Sequence, residues 1–166
     1  MLLPLDAAAL DLASEAPAAW AEQESLTLDG VADTVQEVAR QTREFLGPRG
    51  AASAWGAFLA AEPGTRAVVG TCAYKGPPDW DGVVEIAYFT FPPCEGRGVA
   101  TAMAGGLIQR AAASGLVRTV RAHTLPQRNA SGRVLEKLGF RFVGEVVDPE
   151  DGPVWRWERP AAPMPS

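Results

Sequence analysis

The chain has 166 residues, of which 47% are hydrophobic and 21% charged, and a formal net charge of -5. These values suit one folded domain with a sizeable core and exclude a collagen-like, disulfide-built or wholly disordered chain. The acidic balance disfavours nucleic acid as a partner and favours amines, because phosphate recognition needs clustered Lys and Arg.

The opening Met1-Leu2-Leu3-Pro4-Leu5 reads as a short strand or extended start. It lacks a basic flank and is followed by Asp6, Asp11 and Glu15, which argues against a signal peptide. No apolar run reaches the length of a membrane span, so a cytoplasmic protein with no membrane partner is expected. Val31, Val35, Val38, Thr42, Phe45 and Leu46 follow helical spacing, and Gly47-Pro48 stops that helix. Ser53 to Ala60 and Arg66 to Tyr74 are apolar stretches joined by a hairpin turn at Glu62-Pro63-Gly64-Thr65. After a loop from Lys75 to Gly82, Val83 to Phe91 alternates as a strand that Pro92-Pro93 ends. A helix then carries Val99, Met103, Leu107 and Ala111 on one stripe and stops at Gly115. Gly105 and Gly106 inside it each cost about 1 kcal/mol against Ala, so close contact with a strand or a ligand should compensate them.

Arg118 to Ala122 reads as a strand, Asn129 to Leu138 as a helix ending at Gly139, and Phe140 to Val146 with Val154 to Glu158 as a closing strand pair. The tail Pro160 to Ser166 is expected to be disordered, leaving one domain over residues 1–159. The order of elements gives a mixed α/β (α+β) fold with one parallel step across the helix that begins near Gly98.

Cys72 and Cys94 are the only cysteines and His123 the only histidine, in no metal-ligand spacing, so no metal site and no disulfide are expected. Chemistry points instead to the strand, Gly-containing turn and helix formed by Glu85 to Phe91 and Glu95 to Thr101. Free N–H groups at a helix start, backed by the helix dipole, make an anion site. Gly96 and Gly98 admit close approach of a pyrophosphate, Arg97 can add a charge-assisted contact, and Thr101 offers a hydroxyl. A P-loop would need Lys-Ser or Lys-Thr after the last Gly, and a dinucleotide fingerprint a third Gly where Thr101 stands. Neither fits.

Glu95-Gly96-Arg97-Gly98-Val99-Ala100-Thr101 resembles the acyl-CoA loop of the GNAT superfamily, whose pattern is Gln/Arg-x-x-Gly-x-Gly/Ala. Glu85-Ile86-Ala87-Tyr88 resembles the start of that family's fourth strand and His123-Thr124-Leu125-Pro126 the end of its fifth. Asn129 to Phe140 resembles the helix and Gly-Phe exit of its RimJ/RimL-like branch. The resemblance covers roughly residues 66 to 146 and implies a twisted mixed sheet of six or seven strands flanked by helices.

It further implies an enzyme that passes an acetyl group from acetyl-CoA to an amine of a small molecule or a peptide N-terminus, with a homodimer left open. The backbone of Phe89 and Phe91 would pair with the pantetheine arm, and a backbone N–H near Phe89 to Thr90 would serve the developing oxyanion. Gly96, Arg97, Gly98, Val99, Ala100 and Thr101 would hold the pyrophosphate. Asn129 would contact the cofactor, and Arg97, Arg128 or Arg133 its remaining phosphate.

Glu95 departs from the family's Gln or Arg, and the family's acidic Tyr would fall at Leu135, leaving Ser131 or a water to protonate the thiolate. Glu85 is the candidate general base, set against the plainer reading of a carboxylate paired with a basic residue. Asn129 and Ser131 have a plainer reading as helix-capping residues, and His123 as a packed, hydrogen-bonded side chain. Trp80 is the candidate aromatic of an acceptor pocket, and Trp155 with Trp157 suit core or interface. A non-catalytic acyl-CoA sensor, supported by Glu95 and the missing Tyr, is the alternative function.

Overall fold

The computed structural model describes residues 1–51 and 53–162. Strands β1 (Leu2–Pro4), β2 (Ala57–Ala61), β3 (Val68–Tyr74), β4 (Val83–Thr90), β5 (Thr119–Thr124), β6 (Arg141–Asp148) and β7 (Gly152–Pro160) form one sheet in the order β1-β2-β3-β4-β5-β7-β6. All neighbours are antiparallel except β4 and β5, whose parallel pairing requires the expected crossover through a helix. The helices are α1 (Ala7–Glu15), α2 (Pro17–Gln23), α3 (Ala32–Ala51), α4 (Val99–Ser114) and α5 (Ala130–Lys137).

Local chemistry sets most of these boundaries. The Asp6 carboxylate accepts from Ala9 N–H at 2.8 Å to cap α1, and Pro17 opens α2 at a position where its missing N–H costs nothing. The expected stop at Gly47-Pro48 is a break rather than an end. Gly47 leaves the helical region (φ 63°, ψ -179°) and a short helical segment resumes from Pro48 to Ala51, since Pro is well suited to a first helical turn.

β2 is buried along its whole length, so both sides of the sheet are covered there. On one side lies α4, tied to β3 by the Tyr74 hydroxyl, which donates to the Leu107 carbonyl at 2.5 Å. Gly106 on α4 faces Leu2 of β1 so closely that a Cβ would come within 2.9 Å of its Cδ1, which is the strand contact expected for that glycine; Gly105 faces open space. Leu10, Trp20, Val35, Leu59, Met103, Leu107 and Leu135 belong to one continuous core.

The tail begins later than expected. Pro160 belongs to β7, and Ala161 is buried with its N–H donating to the Arg118 carbonyl at 2.9 Å, because that bond extends the β5–β7 ladder by one step. Residues 163–166 lie outside the described residues.

Candidate acetyl-transfer site

β4 and β5 pair only from Val83 to Ile86 and from Thr119 to Ala122, and then diverge. The far half of β4 therefore has a free edge on its β5 side. Phe91 N–H donates to Val69 and Lys75 N–H to the Glu85 carbonyl, each at 2.9 Å, so the odd-numbered residues of β4 turn their backbone toward β3. Alternation leaves Tyr88 and Thr90 facing the gap. This corrects the expectation for Phe89 and Phe91: their backbone groups are committed to β3, and the Phe91 ring is fully buried.

Following β4, a 3-10 turn (Pro92–Cys94) leads into the loop before α4. Gly96 and Gly98 both hold φ of +77°, a conformation that side-chain-bearing residues rarely adopt, and a Cβ on either would meet nothing within 4 Å. The glycines are thus required by the turn and not by crowding. No side chain caps α4, so the N–H groups of Val99, Ala100 and Thr101 have no helical partner and point out of the helix start.

These elements line a cleft of about 1020 Å³ bounded by Tyr88, Thr90, Gly96, Gly98, Thr101 and, across from them on α5, Ser131 and Arg133. Val99 and Ala100 also line it. The charged side chains on its walls, Glu95, Arg133, Glu136 and Lys137, are evenly matched in sign. Any attraction of an anion there would have to come from the α4 amides and helix dipole. Arg97 does not line the cleft: its guanidinium lies 3.3 Å from Glu62 on the far side of the loop, an ion pair that directs the side chain away from it.

Asn129 is the N-cap of α5, accepting from Gly132 N–H at 2.9 Å, and it lines two smaller pockets instead of the large cleft. Ser131 stands in the first turn of α5 and caps nothing. Leu135, at the position of the absent family tyrosine, is fully buried. Tyr88, a residue the sequence reading did not single out, does line the cleft. Burial raises its phenol pKa, and its hydroxyl donates to the Ser131 carbonyl at 3.3 Å, so it stays protonated at neutral pH. Alternating burial along β4 signals a half-buried strand, but not that Tyr88 faces a void.

A second pocket of about 460 Å³ adjoins the gap, lined by Lys75, Glu85, His123, Asn129, Ser131 and Asp151 among others. By alternation Glu85 lies on the opposite side of β4 from Tyr88. Ser131 lines both the cleft and this pocket and is a wall they share. Glu85 is indeed paired: its Oε1 accepts from His123 Nδ1, and its Oε2 lies 3.7 Å from Lys75 Nζ. His123 is hydrogen-bonded as expected, with Arg156 Nε donating to its Nε2 at 3.1 Å.

Trp80 is 99% exposed and lines none of these pockets, which removes it as the acceptor-pocket aromatic. Trp157 is buried, with its indole N–H donating to Thr124 Oγ1 at 3.0 Å. Cys94 is buried beneath the loop, and burial pushes the Cys72 thiol up to about 12, so neither is a poised nucleophile. Among the described residues no three His, Cys, Asp or Glu side chains are grouped to hold a metal ion.

A family model described as an acetyltransferase (GNAT) domain matches residues 2–141. The chain belongs to the GNAT acetyltransferase family. The antiparallel majority of its sheet also rules out the doubly wound dinucleotide fold.

Solved acetyltransferases of this family share the fold at low sequence identity. A GNAT-family acetyltransferase from Bacillus anthracis is 16% identical with a TM-score of 0.60, covering 78% of this chain and 75% of its own. The ribosomal-protein-S5-alanine acetyltransferase from Vibrio fischeri is 14% identical with a TM-score of 0.57, covering 80% and 72%. A phosphinothricin acetyltransferase from Sinorhizobium meliloti, solved with acetyl-CoA, is 20% identical with a TM-score of 0.57, covering 76% and 69%. No curated protein matches the chain by sequence.

Proposed function

We propose that this acetyltransferase moves an acetyl group from acetyl-CoA, bound in the large cleft, to a primary amine seated in the smaller pocket, by direct attack. The observation that carries this reading is that Ser131 lines both cavities, with the free edge of β4 on the wall of the larger one. The cleft suits such a cofactor in three respects. Uncapped amides of Val99, Ala100 and Thr101 fit a pyrophosphate, Arg133 and Lys137 fit a further phosphate, and the Tyr88 and Thr90 backbone fits an amide-bearing arm. The S. meliloti acetyltransferase was solved with the same cofactor.

When bound, acetyl-CoA supplies an acetyl group already activated as a thioester. Glu85 Oε2 takes the proton of the acceptor amine, since an ammonium ion has no lone pair with which to attack. The N–H groups on the gap side of β4 are fixed donors for a carbonyl oxygen. Tyr88 Oη and Ser131 Oγ hold the protons available to a departing thiolate. Acid–base assistance of this kind contributes ~10²–10⁴-fold, with the rest of the acceleration coming from holding both reactants together.

The acceptor pocket, edged by Glu85 and Asp151, favours a small cationic amine, and the chain's net charge of -5 points the same way. The Asn129-capped α5 and the Gly139-Phe140 exit support placement in the RimJ/RimL-like branch, as does the fold of the V. fischeri enzyme. No helix among the described residues is long and apolar enough to cross a membrane, and the cytosol is the compartment we assign.

Thiol release and mass spectrometry with acetyl-CoA and a library of amines test the reading. Acetylation of small amines is expected, and uptake on peptide N-termini alone would overturn the acceptor assignment. Glu85→Gln should lower kcat/KM by about 10²-fold or more while leaving acetyl-CoA binding unchanged. Cofactor binding with no thiol release on any amine, and no loss in Glu85→Gln, would instead establish a sensor.

A further inference from the structure

We propose that Arg156 is a positioning residue that fixes the tautomer of the chain's only histidine, with the proton on Nδ1 and directed at Glu85, and so leaves Glu85 Oε2 as the proton-accepting atom. The kinetic half of this inference rests on the acetyl-transfer reading above; the spectroscopic half does not.

The hydrogen-bond directions follow from what each group can do. A guanidinium N–H donates and cannot accept, so Arg156 Nε, 3.1 Å from His123 Nε2, requires a bare lone pair at that nitrogen. The proton of the neutral ring must then sit on Nδ1, where it is donated to Glu85 Oε1. Lys75 Nζ, 3.7 Å from Oε2, is outside hydrogen-bond range, so that oxygen keeps its lone pairs for the acceptor. One line of contacts across β7, β5 and β4 thus assigns a single proton and a single basic oxygen.

The other neutral tautomer would fail at both nitrogens. It would set an N–H at Nε2 against the guanidinium donor and turn a bare Nδ1 toward the Glu85 carboxylate. The other charged groups around the pair are Lys75 between β3 and β4, Asp148 at the end of β6 and Asp151 in the following hairpin. Next along the same side of the sheet, Arg121 and Glu158 are bound to each other at 2.7 Å, so neither replaces Arg156.

The presence of one histidine makes the test direct, because every imidazole ¹⁵N resonance belongs to His123. In alkaline solution, where the ring carries a single proton, the wild type should show a protonated Nδ1 and a bare Nε2. Arg156→Gln, whose amide can accept as well as donate, should admit the tautomer protonated at Nε2 and lower kcat/KM several-fold, with KM for acetyl-CoA unchanged. Arg156→Lys, which keeps a pure donor, should restore both. A protonated Nε2 in the wild type, or identical ¹⁵N patterns in wild type and Arg156→Gln, would overturn the proposal and leave acetyl transfer standing. The expected ¹⁵N pattern in a protein that acetylates no amine would retain the proton assignment and overturn the function. A kcat/KM unmoved by Arg156→Gln in an active enzyme would overturn the kinetic role.

Discussion

Tyr88 shows how much a single side chain's surroundings alter its chemistry. On a strand with free edges it would be one more aromatic of a sheet; here its ring is half-buried, its hydroxyl reaches the Ser131 carbonyl, and its backbone faces the gap between β4 and β5. Tyr88→Phe removes one hydroxyl and one hydrogen bond worth about 1 kcal/mol. We expect kcat to fall roughly 10²-fold, at the low end of what a positioned acid contributes, with acetyl-CoA affinity nearly unchanged. Isothermal titration beside steady-state rates separates the two effects. An unchanged kcat would hand the proton-donor role to Ser131, the residue that lines both cavities.

At the scale of the element, α4 carries opposing demands on its glycines. Gly98 at the helix start holds φ of +77°, and Gly98→Ala would strain that backbone by about 1–2 kcal/mol and displace the amides behind it. Acetyl-CoA affinity should fall about tenfold, the binding equivalent of 1.4 kcal/mol, as measured by calorimetry. Gly105 sits in the helix interior with nothing within 4 Å of a Cβ, so Gly105→Ala should stabilise by about 0.5–1 kcal/mol and raise Tm by a few degrees. Affinity lost in the first variant and stability gained in the second would show that one helix separates binding from folding. A Gly98→Ala protein that binds acetyl-CoA normally would remove the loop from the cofactor site.

For the molecule as a whole, the buried core sets the response to alkali. Burial raises the Cys72 thiol from 9.0 to about 12 and the Tyr74 phenol from 10.0 to about 12. In each case the folded protein keeps a proton that the unfolded chain releases. Their stabilising effect is therefore complete below the unfolded values and is lost as pH rises toward about 12. Between those limits each group lowers stability by up to ~1.4 kcal/mol per pH unit. Thermal melts from neutral pH upward should show Tm falling from about pH 9 onward, with a shallower fall in Cys72→Ala. A Cys72→Ala profile parallel to wild type would mean that the thiol is not the group responsible.

Hydrophobic spacing, turn residues and caps are local signals, so the sequence by itself determined the strands and helices nearly in place, the parallel step after β4 and the glycine turn that meets α4. Glu85 was legible as a candidate because it stands on the strand that leads to that turn, and Ser131 because the helix carrying it resembles the family's. What the sequence left open depends on residues distant in the chain. Register against β3 decides which backbone groups of β4 are free, and it moved the exposed edge from Phe89 and Phe91 to Tyr88 and Thr90. Contacts 33 and more positions apart draw Arg97 to Glu62 and bind Glu85, His123 and Arg156 in one line, with separations of 38 and 33 residues along it. Only tertiary structure decides such matters, because neither a pleat's partner nor a side chain's neighbour is encoded in the spacing of residues along one strand.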